Sequence, residues 1–158
     1  MRVYKSMNNN DCLRRIRYIL DFDDSKMIAI FGLANMETDR AEISAWLKKD
    51  DDPDLVECDD TSLASFLNGL IIALRGEKEG GVPEPEIKLT NNMIFMKLRI
   101  ALNLKAGEIL EILESAGQAI SKHELSAFFR RPGHKHYREC KDQILRNFLK
   151  GLQINYRD

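Results

Sequence analysis

Apolar residues along this chain recur at intervals of three and four positions, which is the spacing of one face of an α-helix. From residue 9 to residue 75 this spacing predicts four short helices, each with one apolar face. The first covers about residues 9–21, the second follows Asp24, the third opens at Asp39, and the fourth carries apolar residues from Leu63 to Leu74. The alternating, β-branched pattern typical of strands does not occur in this unit.

The same pattern occurs twice, because residues 9–75 align with residues 91–157 at a constant shift of 82 positions and without a gap. Identical pairs run through the whole unit, among them Arg17/Arg99, Ile30/Ile112, Ala45/Ala127, Cys58/Cys140 and Gly69/Gly151. A register kept over a whole unit without an insertion indicates a tandem duplication.

We therefore predict an all-α protein that is a tandem duplication of a four-short-helix unit. The first helical repeat is expected over residues 7–76, a linker rich in Gly, Pro and Glu over 77–89, and the second repeat over 90–157. A unit of this size with such short helices has a small core of its own. We therefore expect the two copies to pack on each other around a pseudo-two-fold axis. Residues 1–6 precede the repeated sequence and form no part of this prediction.

Polar residues predict where several helices begin, because a short polar side chain can accept a hydrogen bond from a free backbone N–H of the first turn. The first helix and its counterpart are expected to be capped by Asn9 or Asn10 and by Asn91 or Asn92. The third helices open with the form of a capping box, in which the cap residue and the third helical residue bond to each other, at Asp39-x-x-Glu42 and Ser121-x-x-Glu124.

Two further residue types are shared by both copies and are expected to serve the fold. Gly69 and Gly151 lie inside the fourth helices, where glycine costs about 1 kcal/mol relative to alanine. Since both copies keep this residue, we expect the backbone of another element to approach closely there. Arg17 and Arg99 lie in apolar first helices and are expected to reach a carboxylate partner.

The composition is that of a soluble globular protein, with 44% apolar and 31% charged residues in 158. No apolar run approaches the ~20 residues of a membrane helix, and Met1–Cys12 lacks the apolar region of a secretory signal. We therefore expect a cytoplasmic protein. The cysteines Cys12, Cys58 and Cys140 are odd in number and distant in sequence, so we predict buried thiols and no disulfide.

The net charge of −1 conceals opposite charges on the two copies. Residues 7–78 contain 9 Lys and Arg against 15 Asp and Glu, a net of −6, whereas residues 88–158 contain 13 against 7, a net of +6. The contrast is sharpest between the third and fourth helices, where residues 48–54 of the first copy carry four aspartates. The matching segment of the second copy is basic and aromatic, and it supplies our candidate binding residues, Arg130, Arg131, His134, Lys135, His136, Tyr137 and Arg138.

These residues suggest a non-enzymatic binding or regulatory protein. Lys and Arg neutralise phosphates, and Tyr or His can stack on a base, so the first hypothesis is nucleic-acid binding by the second repeat. Its second and third helices, joined by residues 117–120, also have roughly helix-turn-helix spacing. The alternative is a protein–protein interaction module, including a homo-oligomer, that associates through complementary acidic and basic repeats. A solvated charged loop without a ligand is consistent with the same residues.

Metal and catalytic sites find little support in the sequence. His123, His134, His136 and Cys140 are potential ligands, but their spacing fits no standard zinc pattern. The acidic segment at residues 50–54 lacks the spacing of a calcium loop. There is no nucleophile elbow, Walker A loop, dinucleotide fingerprint or HExxH helix. A Cys140–histidine nucleophile is disfavoured because the other copy keeps the cysteine without a histidine. We expect no enzyme, no metal and no cofactor.

Several longer segments carry a resemblance to a known family. They are residues 13–18, 44–49 and 66–70 in the first copy, and 97–101, 132–135, 138–140 and 148–153 in the second. With them the chain resembles the YehS-like family of small bacterial proteins, which is defined by a duplicated domain of unknown function. The resemblance covers essentially everything from Met7 onward. It implies a bacterial cytoplasmic protein with a duplicated helical domain, and it implies no particular activity, ligand or catalytic residue.

Overall fold

A computed structural model describes residues 7–158, which form eight α-helices and no strand; residues 1–6 lie outside the described residues. The described chain divides into two compact units with four helices each, Asn8–Leu89 and Thr90–Asp158, and Met7 is grouped with the second. The first contains α1 (Asn9–Ile19), α2 (Asp24–Leu33), α3 (Arg40–Leu47) and α4 (Asp60–Arg75). The second contains α5 (Asn91–Ala101), α6 (Ala106–Ser115), α7 (Lys122–Phe128) and α8 (Asp142–Tyr156). The predicted all-α duplicated unit is confirmed.

Each unit builds its core from the apolar faces that the spacing predicts. In the first unit α2 packs against α3 and α4, and in the second α6 packs against α7 and α8. The fully buried side chains include Leu13, Ile30, Phe31, Phe66 and Leu67 in the first unit, and Phe95, Ile109, Leu113, Phe148 and Leu149 in the second. Leu74 is an exception, because the end of α4 extends past the core and leaves this side chain 46% exposed.

Aromatic rings connect the helices inside each core. The ring of Phe31 lies 5.4 Å from Trp46 and 5.2 Å from Phe66, measured between centroids. In the second unit the ring of Phe95 lies 4.5 Å from Phe148 and 6.2 Å from Phe128. Tilted rings at these separations have favourable geometry for aromatic pairs. Within residues 7–158, no helix combines the length and the apolar character needed to cross a membrane.

The predicted caps of the first helices are wrong by one or two residues. Asn8 caps α1, with its side chain accepting from the N–H of Asp11 at 2.8 Å, and Thr90 caps α5. The four asparagines that follow these caps point into the unit instead, where they donate to carbonyls at the end of the third helix and just before the fourth helix. Helix α1 also ends at Ile19, earlier than predicted, because the chain turns at Asp21 with a φ of +56°.

The third helices begin where the pattern predicts. Ser121 and Glu124 form the complete capping box, with both bonds at 3.0 Å. In the first copy Asp39 accepts from the N–H of Glu42 at 2.8 Å. Among the described residues, the Glu42 side chain makes no return bond, so only half of the predicted box forms there.

The glycines inside the fourth helices mark close backbone contacts, as predicted, and each contact lies within its own unit. A methyl group on Gly69 would overlap the backbone carbonyl of Ile30 in α2, whose carbon is 2.8 Å from the ideal Cβ position. Gly151 meets the carbonyl of Ile112 in α6 in the same way, again with the carbon at 2.8 Å. The absence of a side chain therefore allows α4 and α8 to pack directly on the backbones of α2 and α6.

The two shared arginines differ in their partners. Arg17 reaches the carboxylate of Asp24 at 3.7 Å, as expected. The expectation is wrong for Arg99, because alanine occupies the position that matches Asp24. Its guanidinium instead lies over the ring of Phe129, 4.7 Å from the centroid, and its Nε donates to the carbonyl of Leu104 at 3.3 Å.

Candidate functional site

The segment between α7 and α8 contains all the predicted binding residues, and we call residues 130–138 the basic loop. One buried side chain, Asn92 of α5, holds both of its ends. The Nδ2 of Asn92 donates to the carbonyl of Phe128 at 3.0 Å and to that of Arg138 at 2.7 Å. Its Oδ1 accepts from the N–H of Cys140 at 2.8 Å. Three hydrogen bonds from one side chain thus fix where the loop leaves α7 and where it returns towards α8.

The first repeat has the same device around residues 48–56, which we call the acidic loop. Asn10 donates to the carbonyls of Trp46 at 2.9 Å and Val56 at 2.8 Å, and it accepts from the N–H of Cys58 at 3.0 Å. A second pair of buried or half-buried amides, Asn9 and Asn91, binds the carbonyl of the cysteine in its own repeat at 3.0 Å. We call Asn10 and Asn92 the asparagine latches.

Within the basic loop, backbone hydrogen bonds form a compact series of turns. The N–H of His134 donates to the carbonyl of Arg131 at 3.0 Å, and the N–H of Tyr137 donates to the carbonyl of His134 at 2.9 Å. Between them Gly133 has a φ of +93°, a conformation that other residues rarely adopt. The N–H of Arg138 then donates to the carbonyl of Ala127, which draws the loop back against α7.

All seven predicted binding residues lie on this loop, and six of them are exposed. Tyr137 is partly buried, and burial, followed by the charge of Glu139, raises its pKa above the usual range. The Nδ1 of His134 accepts from the backbone N–H of His136 at 3.0 Å, and the two imidazole rings lie 5.6 Å apart.

A positively charged arginine of the first repeat lies beside the acidic loop. Arg14 of α1 donates to the backbone carbonyl of Lys48 at 2.6 Å and to the carboxylate of Asp50 at 3.1 Å. The matching position in α5 is Met96, so the basic loop has no equivalent partner. Within residues 7–158, none of the basic loop's Lys and Arg side chains lies within 4 Å of a carboxylate, the distance that defines an ion pair.

One residue outside the predicted set completes the site. His123, on the exposed side of α7, has its imidazole 6.3 Å from that of His136. The two histidines line a depression of about 180 Å³ together with Glu124, Lys135, Tyr137 and Arg138, and we call it the histidine niche. The sequence placed His123 among potential metal ligands and not among binding residues. The matching residue of the first repeat is Ala41, so a comparison of the two copies at this position could have identified His123.

A groove of about 440 Å³ adjoins the niche and shares three of its residues, Glu124, Tyr137 and Arg138. Its other walls combine apolar and charged side chains, namely Phe128, Glu139, Lys141 and Ile144. Charged residues outnumber apolar ones in this lining, so the groove is more polar than the usual small-molecule site.

Glu124 lines both depressions. Its pKa is lowered, first by the backbone N–H and side chain of Ser121, and further by the positive charges of Arg138 and His123. The N–H of Ser121 donates to Oε1 of Glu124 at 3.0 Å and so holds this carboxylate oxygen at the start of α7.

Cys140 and Cys58 are buried free thiols, as predicted. Burial, the largest cause, raises the pKa of each to about 12. A nucleophilic cysteine requires the thiolate form, which this environment opposes. Within residues 7–158, no three His, Cys, Asp or Glu side chains are grouped so that they could hold a metal ion.

The helix-turn-helix prediction is not supported by the geometry of α6 and α7. Residues 116–121 separate the two helices, which is longer than the turn of about three or four residues in that motif. Helix α7 has only seven residues, and the basic side chains lie mainly on the loop that follows it.

The fold and the two loops define a class: an all-α protein built from two copies of one four-helix unit, whose matching loops carry opposite charge. Residues 9–76 and 91–158 both match the family described as a protein of unknown function, DUF1456. The chain belongs to this family.

A curated relative agrees with this assignment. The uncharacterized protein YehS of Escherichia coli (strain K12) is 44% identical over 147 residues, which cover 92% of this chain and 94% of that protein. No solved structure matches the chain. Neither the family description nor the relative's name indicates an enzyme family.

Proposed function

We propose that this protein is a non-enzymatic binding or regulatory protein that binds nucleic acid through the basic loop of its second repeat. The observation that supports this function is the difference in charge pairing between the two loops. The acidic loop is joined to Arg14 of its own repeat, whereas the cations of the basic loop are exposed and have no carboxylate within 4 Å in the described chain. Their counter-anion is therefore expected to come from a ligand.

The chemistry of the loop suits a phosphate backbone. Arg130, Arg131, Lys135 and Arg138 offer four cationic side chains, and their neutralisation of phosphates would release bound counterions. Tyr137 and the loop's histidines offer rings on which an unpaired base can stack. The latch at Asn92 holds the loop in one place before any ligand arrives, which reduces the entropy lost on binding.

The test is the binding of a fluorescent duplex and a fluorescent single strand at a series of salt concentrations. Log K against log salt on duplex DNA changes by about −0.9 for each phosphate neutralised, so four cations predict a slope between about −3 and −4. No retention on heparin or on either nucleic acid at low salt would refute the proposal.

The two repeats provide a matched control for this measurement. Arg130→Ala removes a charge from the basic loop, whereas Lys48→Ala removes a charge at the matching position of the acidic loop. We expect the first variant to reduce the steepness of the salt slope by about one unit and the second to leave it unchanged. Equal effects from both variants would indicate non-specific attraction by the whole chain.

A second candidate function is protein–protein association between the acidic loop of one molecule and the basic loop of another. It is favoured by Asp51 and Asp54, which are exposed and, among residues 7–158, have no cation within 4 Å. This candidate predicts oligomers in sedimentation experiments that dissociate as salt is added. A monomer at all protein and salt concentrations would contradict it.

A further inference from the structure

We infer that the histidine niche is a subsite for a terminal phosphate group, so that the second repeat binds the phosphorylated end of a nucleic-acid strand. The inference rests on the proposed nucleic-acid function and adds a specificity to it. A terminal phosphomonoester differs from an internal phosphodiester in carrying nearly a second negative charge and a third free oxygen acceptor.

The first repeat acts as an internal control for this site. The hydrogen bond that brings the loop back against the third helix is the same in both repeats: the N–H of Arg138 donates to the carbonyl of Ala127 at 3.1 Å, and that of Val56 donates to the carbonyl of Ala45 at 3.1 Å. Five positions around the niche differ, and in the second repeat each has gained a side chain able to donate a hydrogen bond. The pairs are Ala41/His123, Pro53/Lys135, Asp54/His136, Leu55/Tyr137 and Val56/Arg138. Such a one-sided replacement beside the same loop-closing hydrogen bond favours an anion as the ligand.

The arrangement of these donors fits one compact anion. They come from two sides, His123 from α7 and the others from the loop, and the rings of His123 and His136 lie 6.3 Å apart. The niche measures about 180 Å³, several times the ~30 Å³ occupied by one water molecule in the liquid, which is room for a tetrahedral group.

The carboxylate of Glu124 is the one anion among the lining residues, and it limits what can bind. It shares the niche with Lys135 and Arg138, so its negative charge offsets one of their two positive charges. Hydrogen-bond donation from His123 and His136 therefore has to supply part of the stabilisation of a dianion. The Ser121 N–H keeps one carboxylate oxygen engaged at the helix start, at 3.0 Å.

The adjoining groove has the features expected for the nucleoside attached to that phosphate. Tyr137 and Arg138 border both depressions, and Phe128 and Ile144 give the groove an apolar wall. A base placed there could stack on an aromatic or guanidinium surface without being identified by its edge.

The experiment compares two otherwise identical single-stranded oligonucleotides, one with a 5′-phosphate and one with a 5′-hydroxyl, by fluorescence anisotropy on the full chain. A 3′-phosphate strand forms a third arm, because the niche chemistry does not distinguish the two ends. We expect at least one phosphorylated end to bind about tenfold more tightly, as one further charge-assisted hydrogen bond would provide. Equal affinity for all three strands would overturn the inference.

Variants locate the preference within the site. His123→Ala installs the residue that the first repeat has at this position, and we expect it to remove most of the preference for the phosphorylated end. Lys122→Ala removes a neighbouring charge that does not line the niche, so it should weaken all strands equally and keep the ratio. A preference that survives both His123→Ala and His136→Ala would place the phosphate elsewhere and contradict the inference.

Titration with inorganic phosphate, followed by the imidazole signals of His123 and His136 in NMR spectra, separates this inference from the proposed function. If strands bind without any preference for a phosphorylated end, the nucleic-acid function stands and the inference fails. If inorganic phosphate shifts both histidines while no strand binds, the niche stands as a phosphate site and the nucleic-acid function fails.

Discussion

Replacing Asn92, the latch of the second repeat, should distinguish its contribution to the stability of the fold from its contribution to ligand binding by the basic loop. Asn92→Ala deletes three hydrogen bonds of 2.7–3.0 Å and leaves the carbonyl of Phe128 and the N–H of Cys140 buried without this partner. At ~1 kcal/mol for each hydrogen bond, and more for groups left unpaired in the interior, the unfolding free energy should fall by about 3–4 kcal/mol. In a chain of this length that corresponds to a decrease of roughly 10 °C in the melting temperature.

The effect of Asn92→Ala on nucleic-acid affinity tests the role of the latch more directly than the loss of stability does. Once both ends of the basic loop are released, ordering them again on the ligand costs about 1–2 kcal/mol for each residue fixed. We therefore expect nucleic-acid affinity to fall by about tenfold or more, measured by anisotropy at a temperature where circular dichroism shows the variant folded.

The matched control is Asn10→Ala, which removes the same three bonds around the acidic loop. It should destabilise the protein by a similar amount and leave nucleic-acid affinity unchanged. If both variants bind equally weakly, the affinity depends on global stability and the reasoning is wrong. Unchanged binding by a folded Asn92→Ala variant would be equally decisive against it.

Two further predictions concern the core. Gly151→Ala should lower the unfolding free energy by about 2 kcal/mol, because the overlap with the Ile112 carbonyl outweighs the ~1 kcal/mol gained in helix propensity. The control is Gly107→Ala, whose added methyl group meets nothing within 4 Å and should leave the stability unchanged or raised. If calorimetry finds Gly151→Ala more stable than Gly107→Ala, the close contact at Gly151 is excluded. The folded state keeps the thiols of Cys58 and Cys140 protonated, with each pKa raised to about 12 from an ordinary value of 9.0. Their contribution to stability is therefore complete below about pH 9 and is lost as the pH rises towards 12. Urea unfolding at pH 8 and at pH 10.5 should show this loss of stability, and the Cys140→Ala variant should lose less. Rapid modification of the native thiols by iodoacetamide at pH 8 would contradict their burial.

The duplicated helical fold could be predicted from the sequence because both of its causes are local or repeated. Helical spacing defines each apolar face, and the comparison between copies picks out Gly69 and Gly151 as residues kept at a cost. The carbonyl that each glycine meets could not be predicted, because it depends on how two helices cross.

The asparagines show where local rules fail. A polar residue just before an apolar helix is a good capping candidate, so Asn9 and Asn10 satisfied the rule. Their actual partners lie far along the chain, and Asn10 binds groups 36, 46 and 48 positions away. Long-range hydrogen bonds of this kind have no periodic trace in a single sequence.

The sequence singled out the charged and aromatic residues of the basic loop, whose binding role stays a prediction, but it did not reveal the histidine niche beside them. Charge and register singled out residues 130–138, since these properties can be compared position by position between copies. His123 joins them because the N–H of Arg138 binds the carbonyl of Ala127 and brings the loop back beside α7. This reversal of the chain depends on tertiary contacts that the sequence does not reveal. His123 was therefore grouped with the potential metal ligands and not with the residues of the basic loop.

The asparagine latch bonds exclusively to main-chain atoms of the segment that it holds: two carbonyls and one N–H in each repeat. Main-chain atoms are the same whatever side chain a position carries, so substitutions between the anchor points leave the anchoring intact. After duplication, one copy could thus accumulate aspartates and the other histidines and arginines on equivalent frames. The same property predicts that a peptide of equal length can replace residues 48–56 or 130–138 where it adopts the same turns. In the basic loop this requirement includes the φ of +93° at Gly133.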